Sequence, residues 1–317
     1  MGQLLVDGGQ SACRAAVIHN GIMVSTFTLP GLSFQQDAAG VQTIKTLLRD
    51  TRIALNERGS PRLKAAWLGL TGMPRDSRLR AQVCTAASET LEVGITAVCS
   101  DLVAAYVGAV GLRPGGVVSA GSGAVALATS GQGDLVEVGD HGALLGDQGS
   151  GYWIGRAGLR AVVRANDGWG PPTELGRAAE LHYGPVTGIT GRVRESKNPV
   201  DEVAQFAPLV CSAADEGDAV AAGVVRRAGA LLAEMLETAA RKATGGNVDG
   251  LVLSWNGRLL SNGQVLKRAF EETLAGALSE GATLSAPLGS ALDGLKTMAQ
   301  APSLQPVAGA VQIEGGK

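Results

Sequence analysis

Cysteine and histidine are scarce in this 317-residue chain, with four of the first and three of the second. Cys13, Cys84, Cys99 and Cys211 are too far apart for a CxxC pair, and His19, His141 and His182 are scattered. That excludes a zinc ribbon and a disulfide scaffold, and it fits a reducing, cytoplasmic compartment. An excess of one charge is also missing. The net charge is −2, which leaves no basic surplus to hold nucleic acid. No apolar run approaches the ~18 residues needed to cross a bilayer, so no membrane span is expected. The opening MGQLLVDGG lacks the charged and apolar regions of a signal peptide. Val6 stands where a myristoylation signal needs Ser or Thr.

Apolar residues and glycine are plentiful. The chain is 45% hydrophobic and 18% charged, the profile of a globular protein with a sizeable core. The apolar content and the lack of a short repeat exclude collagen and a disordered chain. At ~100–200 residues per domain, the length fits two domains or one large one. The 46 glycines are about twice the usual ~7% share, which implies many tight turns and close backbone approaches.

The first segment reads strand, turn, strand, turn, strand. Leu4-Leu5-Val6 is apolar and β-prone, and Asp7-Gly8-Gly9-Gln10-Ser11 is a turn. Arg14 to Ile18 is a second strand, Asn20-Gly21 a hairpin signal, and Ile22 to Phe27 a third strand. Val41, Ile44, Leu47 and Leu48 share one face of a helix. A buried strand at 65–70, a helix at 76–91 and a strand at 94–98 follow. The opening order then returns. Val117-Val118-Ser119 leads into Ala120-Gly121-Ser122-Gly123, a strand from Ala124 to Thr129, a turn at 131–134 and a strand at 135–138. Two copies of one unit predict an α/β protein with two similar lobes, 1–112 and 113–289, and a ligand cleft between them. A closing helix at 290–303 is assigned to the first lobe. Beyond 150 the chain reads as mostly helical, with amphipathic stretches at 201–216 and 218–243. A late strand runs from Leu251 to Ser254, and helices occupy 262–279 and 290–300. Nothing after about 303 reads as ordered.

Asp7 ends a buried strand beside Gly8 and Gly9. A carboxylate there can hold a hydrated Mg²⁺ while the turn's N–H groups cradle phosphate oxygens; the plainer alternative is an Asx hairpin turn. Gly121, Ser122 and Gly123 form the matching turn of the second unit. With Ala126 they spell GxGxxA, and they also resemble a nucleophile elbow. Both patterns need a helix next, whereas this chain turns again at Gly131 to Gly133. Asp101 heads a small-residue helix, either as a base aimed at a hydroxyl or as a helix cap.

The run from Gly139 to Gly151 packs five glycines, Asp140, His141 and Asp147 into thirteen residues before a helix begins at Tyr152. Glycine buries no side chain and costs ordering entropy, so the run suits a polar ligand approached by backbone. His141 has no second His or Cys at metal-ligand spacing. There is no GxxxxGK[ST], so any nucleotide is held without a Walker A loop.

The stretches LLVDGGQSACRAAV, SDLVAAYVGA, VVSAGSGAVALA, LLGDQGSGYWIGRAGLRAVV, ADEGDAVAAGVVRRAGALLAEM and LVLSWNGRLLSN follow the order of the BadF/BadG/BcrA/BcrD ATPase family. The chain resembles that family from residue 4 to about 300, and LGDQGSGYWIG is the most specific piece. The family includes N-acetylglucosamine kinases. Its fold is that of actin, hexokinase and Hsp70: two duplicated, ribonuclease H-like lobes with ATP in the cleft.

The resemblance implies roles residue by residue. Asp7 places Mg²⁺. Gly8, Gly9 and Ser11 line the phosphates, and Gly121, Ser122 and Gly123 form the second phosphate motif. Asp101 accepts the proton of a sugar hydroxyl. Asp147, with Gly139, Asp140 and His141, meets the sugar. Ser254 to Gly257 lie by the adenosine. The chain also departs from the family pattern. Gln10 and Ser11 stand in place of Gly-Thr, and Gly139-Asp140-His141-Gly142 in place of Gly-Gly-Trp-Gly. Gln148 replaces Glu, Trp255-Asn256 replaces Gly-Gly, and Leu32, Ser33 and Phe34 occupy the region of a sugar-binding Asn.

The expected function is therefore a cytoplasmic kinase that moves the γ-phosphoryl of ATP to a hydroxyl of an amino sugar, N-acetylglucosamine or glucosamine. Its partners are the sugar and Mg²⁺-ATP, with no nucleic acid and no membrane. Family members are often dimers, though no segment here marks an interface. Two alternatives stay open. One is an ATPase that activates a 2-hydroxyacyl-CoA dehydratase, which needs closely placed cysteines where only Cys99 stands. The other is a non-catalytic sugar- or nucleotide-binding regulator, suggested by the substitutions at Asp140, Gln148 and Trp255-Asn256.

Overall fold

The computed structural model describes residues 1–10, 12–32, 38–74, 76–278 and 281–315. Two compact units emerge: residues 1–115, 129–135 and 286–317 form unit 1, and residues 116–128 and 136–285 form unit 2.

Unit 1 opens with an antiparallel meander, β1 (Gly2–Gly8), β2 (Ala12–His19) and β3 (Ile22–Pro30). Asn20 and Gly21, at φ +51° and +78°, make the left-handed pair that a two-residue hairpin needs. Helix α1 (Ala38–Glu57) leads to β4 (Leu63–Leu70), parallel to β1, and α2 (Ser77–Leu91) leads to β5 (Ile95–Ser100), parallel to β4. Helix α3 (Asp101–Val110) follows directly.

Unit 2 begins with β6 (Gly115–Ala120), β7 (Ala124–Thr129) and β8 (Val136–Gly139). After the one-turn α4 (Gly142–Leu145) comes a helical stretch: α5 (Gly151–Asn166), α6 (Leu175–Tyr183), α7 (Val186–Glu195), α8 (Pro199–Ala204), α9 (Ala207–Asp215) and α10 (Ala219–Thr244). Strand β9 (Val252–Asn256), α11 (Arg258–Asn262), α12 (Gln264–Ala277) and β10 (Thr283–Leu284) complete it. The chain then returns to unit 1 as α13 (Ala291–Gln300) and β11 (Gln312–Gly315).

The two sheets repeat one strand order. It is β3-β2-β1-β4-β5 in unit 1, with β11 added beyond β5, and β8-β7-β6-β9-β10 in unit 2. In unit 1, Leu4, Val6, Leu68, Leu70 and Val98 bury one face of the sheet with Ile44 and Leu48 of α1 and Val83 of α2. A fully buried side chain of this size contributes ~1.5–3 kcal/mol. The other face meets α3 and α13: a Cβ on Gly69 would stand 2.7 Å from that of Ala104 and 3.5 Å from Leu295. These two helices touch backbone to backbone. A Cβ on Gly108 would strike the Ser290 carbonyl oxygen, and one on Gly294 the Ala104 carbonyl oxygen.

Two sequence expectations change. Residues beyond 303, expected to lack order, include β11, which pairs antiparallel with β5 from Gln312↔Val98 to Gly315↔Ile95. Four residues cannot hold a strand alone, and the free edge of β5 supplies the partner. The stretch 201–216 is two helices rather than one, since Pro208 opens α9 and has no N–H to continue a helix from α8. The helix expected at 262–279 is present as α12, and the short α11 precedes it across Gly263.

Candidate active site

In unit 1, Asp7, Gly69 and Cys99 stand in register across the parallel strands β1, β4 and β5, and Asp101 follows Cys99 by two residues. Two strand spacings of ~4.8 Å separate the Asp7 and Asp101 strand ends by about 10 Å. The buried Cys99 thiol is pushed up to about 12, first by burial and then by Asp101, with a further push from Asp7. Both carboxylates thus act on one point.

The Asp7 carboxylate is 14% exposed and lies 3.6 Å from Nη1 of Arg14, its register partner on β2. Burial raises its pKa above the ordinary 3.8, and Arg14 offsets only part of that. A carboxylate disfavoured by burial is eased by a cation. Mg²⁺ keeps most of its waters and takes one or two carboxylates with phosphate oxygens, so it suits a single acid here. Among the described residues no three His, Cys, Asp or Glu gather as a cage. The chemistry fits a metal delivered with a phosphate ligand.

Asp101 is not the cap of α3. Ser100 holds that position and accepts the Val103 N–H at 3.2 Å. Asp101 is the first helical residue, and its Oδ1 accepts the Leu102 N–H at 2.9 Å. Gly8 is packed so closely that a Cβ would lie 2.6 Å from Leu70. The Gly9 N–H closes the turn on the Ala12 carbonyl at 3.2 Å. Ser11, like Ser33 and Phe34, lies outside the described residues.

In unit 2, every implied segment converges on the turn between β6 and β7. The Gly121 N–H bonds the Gly123 carbonyl at 2.9 Å. From the start of α5, the Gly151 N–H reaches the Gly121 carbonyl at 2.8 Å and the Tyr152 N–H reaches the Ser122 carbonyl at 3.1 Å. Asp147 is buried, at φ +59°, and its Oδ1 accepts the Ala124 N–H at 3.1 Å. Burial raises its pKa, the Ala124 bond lowers it, and Asp140 raises it again; the net shift is upward. Asp140 is exposed at φ +60°, and its N–H donates to the Ala124 carbonyl at 3.3 Å. Gly139, at φ +98°, passes so near that a Cβ would sit 2.9 Å from that carbonyl. His141 is exposed and precedes α4 without a side-chain capping bond.

The 254–257 segment also reaches this turn. Ser254 is fully buried, and its hydroxyl donates to the Ser285 carbonyl at 2.9 Å. Trp255 packs edge-on to Phe270, with the Lys267 ammonium 4.9 Å from its ring centre. Asn256 donates to the Ser119 hydroxyl at 3.2 Å, and a Cβ on Gly257 would strike the Ala120 carbonyl oxygen.

Two polar residues of the unit 1 edge carry no motif. Arg14 is marked only by its register with Asp7. Thr71 follows β4 as Asp7 ends β1, and its N–H donates to the Gly8 carbonyl at 2.7 Å. At 7% exposure it lies just past the end of β4, the strand between β1 and β5. The only sequence signal for it is a small polar residue directly after a buried strand.

The profile of the BadF/BadG/BcrA/BcrD ATPase family matches residues 6–282. An N-acetyl-D-glucosamine kinase of Dictyostelium discoideum is 25% identical over 269 residues, covering 76% of this chain and 83% of that protein. Among solved structures, a candidate N-acetylglucosamine kinase of Chromobacterium violaceum superposes with a TM-score of 0.72 at 23% identity, covering 94% of this chain and 99% of its own. A ROK hexokinase of Thermus thermophilus gives 0.52 at 16% identity, covering 94% and 96%. The fold is that of the two-lobed hexokinase and actin-like ATPases, as the repeated strand order indicates.

Proposed function

The chain belongs to the BadF/BadG/BcrA/BcrD ATPase family, and on that footing we propose that it is an ATP-dependent kinase of an amino sugar, N-acetylglucosamine or glucosamine. The observation that carries this reading is the strand edge of unit 1, where Asp7 lies near the end of β1 and Asp101 directly follows β5 in one parallel trio. Phosphoryl transfer asks a protein chiefly for positioning and charge neutralisation. Asp101 orients the acceptor hydroxyl and takes its proton as the oxygen bonds to the γ-phosphorus and the bond to ADP breaks. Asp7 holds the magnesium that comes with ATP, and that ion neutralises phosphate charge. In unit 2, the Gly121–Gly123 turn offers backbone to phosphate oxygens, and Asp147 accepts hydrogen bonds from sugar hydroxyls. The N-acetyl-D-glucosamine kinase relative from Dictyostelium supports the acceptor class.

The negative charge of Asp140, close enough to act on Asp147, favours a protonated amine over a neutral acetamide. The dehydratase-activator alternative is not favoured, since a bridging cluster asks for closely placed cysteines and Cys99 has none near it in the sequence. No helix among the described residues is long and apolar enough to cross a membrane. The reading places the enzyme in the cytoplasm.

The test is a coupled ADP assay over glucosamine, N-acetylglucosamine, N-acetylmannosamine and glucose, with and without Mg²⁺. Acceptor- and Mg²⁺-dependent ADP release with an amino sugar is expected. ADP release that ignores the acceptor, or none with any sugar, removes the kinase reading. Asp140→Gly sharpens it: glycine adopts φ +60° freely, so a change in the glucosamine to N-acetylglucosamine ratio reports charge and not strain. An unchanged ratio removes the amine preference alone.

A further inference from the structure

The Asp147 carboxylate, read above as a sugar contact, is bound to backbone in this structure. Its Oδ1 takes the Ala124 N–H at 3.1 Å, at the exit of the Gly121–Gly123 turn. Three residues later the chain turns into α5, whose first two N–H groups take the Gly121 and Ser122 carbonyls at 2.8 and 3.1 Å. The Asp147 carbonyl itself accepts the Ser150 N–H at 3.0 Å, and Ser150 caps α5 by accepting the Trp153 N–H at 3.1 Å. Residues 147–152 therefore meet the turn at three points. Gly123 records how close the fit is: a Cβ there would lie 2.8 Å from Asp147 Oδ1, whereas one on Gly121 would meet nothing within 4 Å. The carboxylate lies against one side of the turn, and Gly121 opens away from it.

We infer that Asp147 is a positioning residue for the nucleotide site: with the first turn of α5 it is the mount that fixes the Gly121–Gly123 turn in its phosphate-accepting shape. The inference rests on the reading that this turn takes phosphate. The carboxylate then has two duties. One oxygen is bound to the turn, and an acceptor that bonds the other is one atom away from it. Loading of the sugar is thereby felt where the phosphates sit, and by linkage the nucleotide alters sugar affinity by the same factor. A carboxylate used only for the sugar would leave nucleotide affinity untouched on removal; a mount would not.

The experiment is a calorimetric titration of Mg²⁺-ADP without any sugar, so acceptor identity plays no part. Asp147→Ala loses the bond to Ala124 and is expected to weaken Mg²⁺-ADP at least about tenfold, the loss of roughly one good hydrogen bond. Asp147→Asn keeps an oxygen that accepts the Ala124 N–H and is expected to stay within about threefold of wild type. Its acceptor KM should still rise, which separates the two duties. Gly123→Ala leaves the carboxylate intact but presses a methyl onto it, and it should weaken Mg²⁺-ADP as Asp147→Ala does. Wild-type affinity in Asp147→Ala or in Gly123→Ala overturns the inference. If Asp147→Ala does not fold, Gly123→Ala and the Asn rescue decide, and a large loss in Asp147→Asn also counts against the mount. A wild-type protein that binds no Mg²⁺-ADP removes the kinase reading and this inference together. Wild-type binding with unaffected variants removes this inference alone.

Discussion

The turn after β1 carries its own carboxylate, Asp7, in the strand that leads into it. The turn after β6 occupies the same point of the second sheet and has no acid of its own. Its carboxylate comes from Asp147, 23 residues beyond Ala124 along the chain. The surroundings differ accordingly. Asp7 faces a cation, Arg14 at 3.6 Å, while Asp147 faces backbone N–H. Burial raises the pKa of both. One architecture is thus built twice with different surroundings: unit 1 has a carboxylate at its own strand end, and in unit 2 a carboxylate from farther along the chain bonds the backbone beside the turn. A duplicated fold conserves where a turn falls and leaves open what the turn contributes.

The division predicts where kinetic damage will appear. Asp101→Asn should have the largest effect, a fall in kcat of ~10²–10⁴ with nucleotide binding retained, because the amide cannot take the proton. Near-wild-type kcat would remove the general base from unit 1. Asp7→Ala should follow, with at least about a hundredfold loss in kcat/KM for Mg²⁺-ATP and acceptor affinity held, since losing a metal site forfeits several kcal/mol of charge stabilisation. Equal losses in both substrates would blur the contrast between the units. Thr71→Val keeps the shape and deletes one hydroxyl. If Thr71 serves the same edge, steady-state kinetics should show kcat down about tenfold and melting unchanged. Unchanged kinetics would make it packing only.

The smallest effect concerns a carboxylate outside either turn. Asp218 caps α10, and burial, which pushes its pKa up, is outweighed by bonds from Ala221, Glu174, Thr173 and Val220, so it lies below 3.8. Its stabilisation is present above pH 3.8 and is lost as pH falls through the depressed native value. Asp218→Ala should therefore lower stability at pH 7 by ~1 kcal/mol, and the gap to wild type should close in acid. Melts at pH 7 and pH 2–3 check this. The raised Asp147 runs the other way: its charge costs stability above the ordinary carboxylate pKa.

Local features were legible in the sequence. The two strand–turn–strand openings, the Asn20-Gly21 hairpin and the α1 face from Val41 to Leu48 all follow from short-range chemistry and were found where expected. Features made by distant partners were not. β11 exists because β5 has an open edge more than 200 residues earlier, and nothing in Gln312-Ile313-Glu314-Gly315 announces that. Ser100 rather than Asp101 caps α3, a choice set by the backbone at Ser100, where φ −70° and ψ 154° place its hydroxyl over Val103. The Asp147 bond to Ala124 joins two segments that each read as ligand loops, so composition alone points both outward.

The interlock of Gly108 with Ser290 and of Gly294 with Ala104 has a consequence for how the protein is made. Strands β1 to β5 are written in the first 100 residues, with Asp101 directly after them, but α13, which packs on α3, begins at Ala291 and β11 at Gln312. At roughly 5–20 residues per second, a ribosome that has finished α3 needs roughly 10–35 s more to deliver α13. During that interval the face of β4 opposite the α1–α2 core lacks one of its two covering helices, while unit 2 is being synthesised. The crossing of α3 and α13 is close enough that glycine is needed at both contact points. A side chain at Gly108 or Gly294 would obstruct that late packing, since its Cβ would strike the Ser290 or the Ala104 carbonyl oxygen.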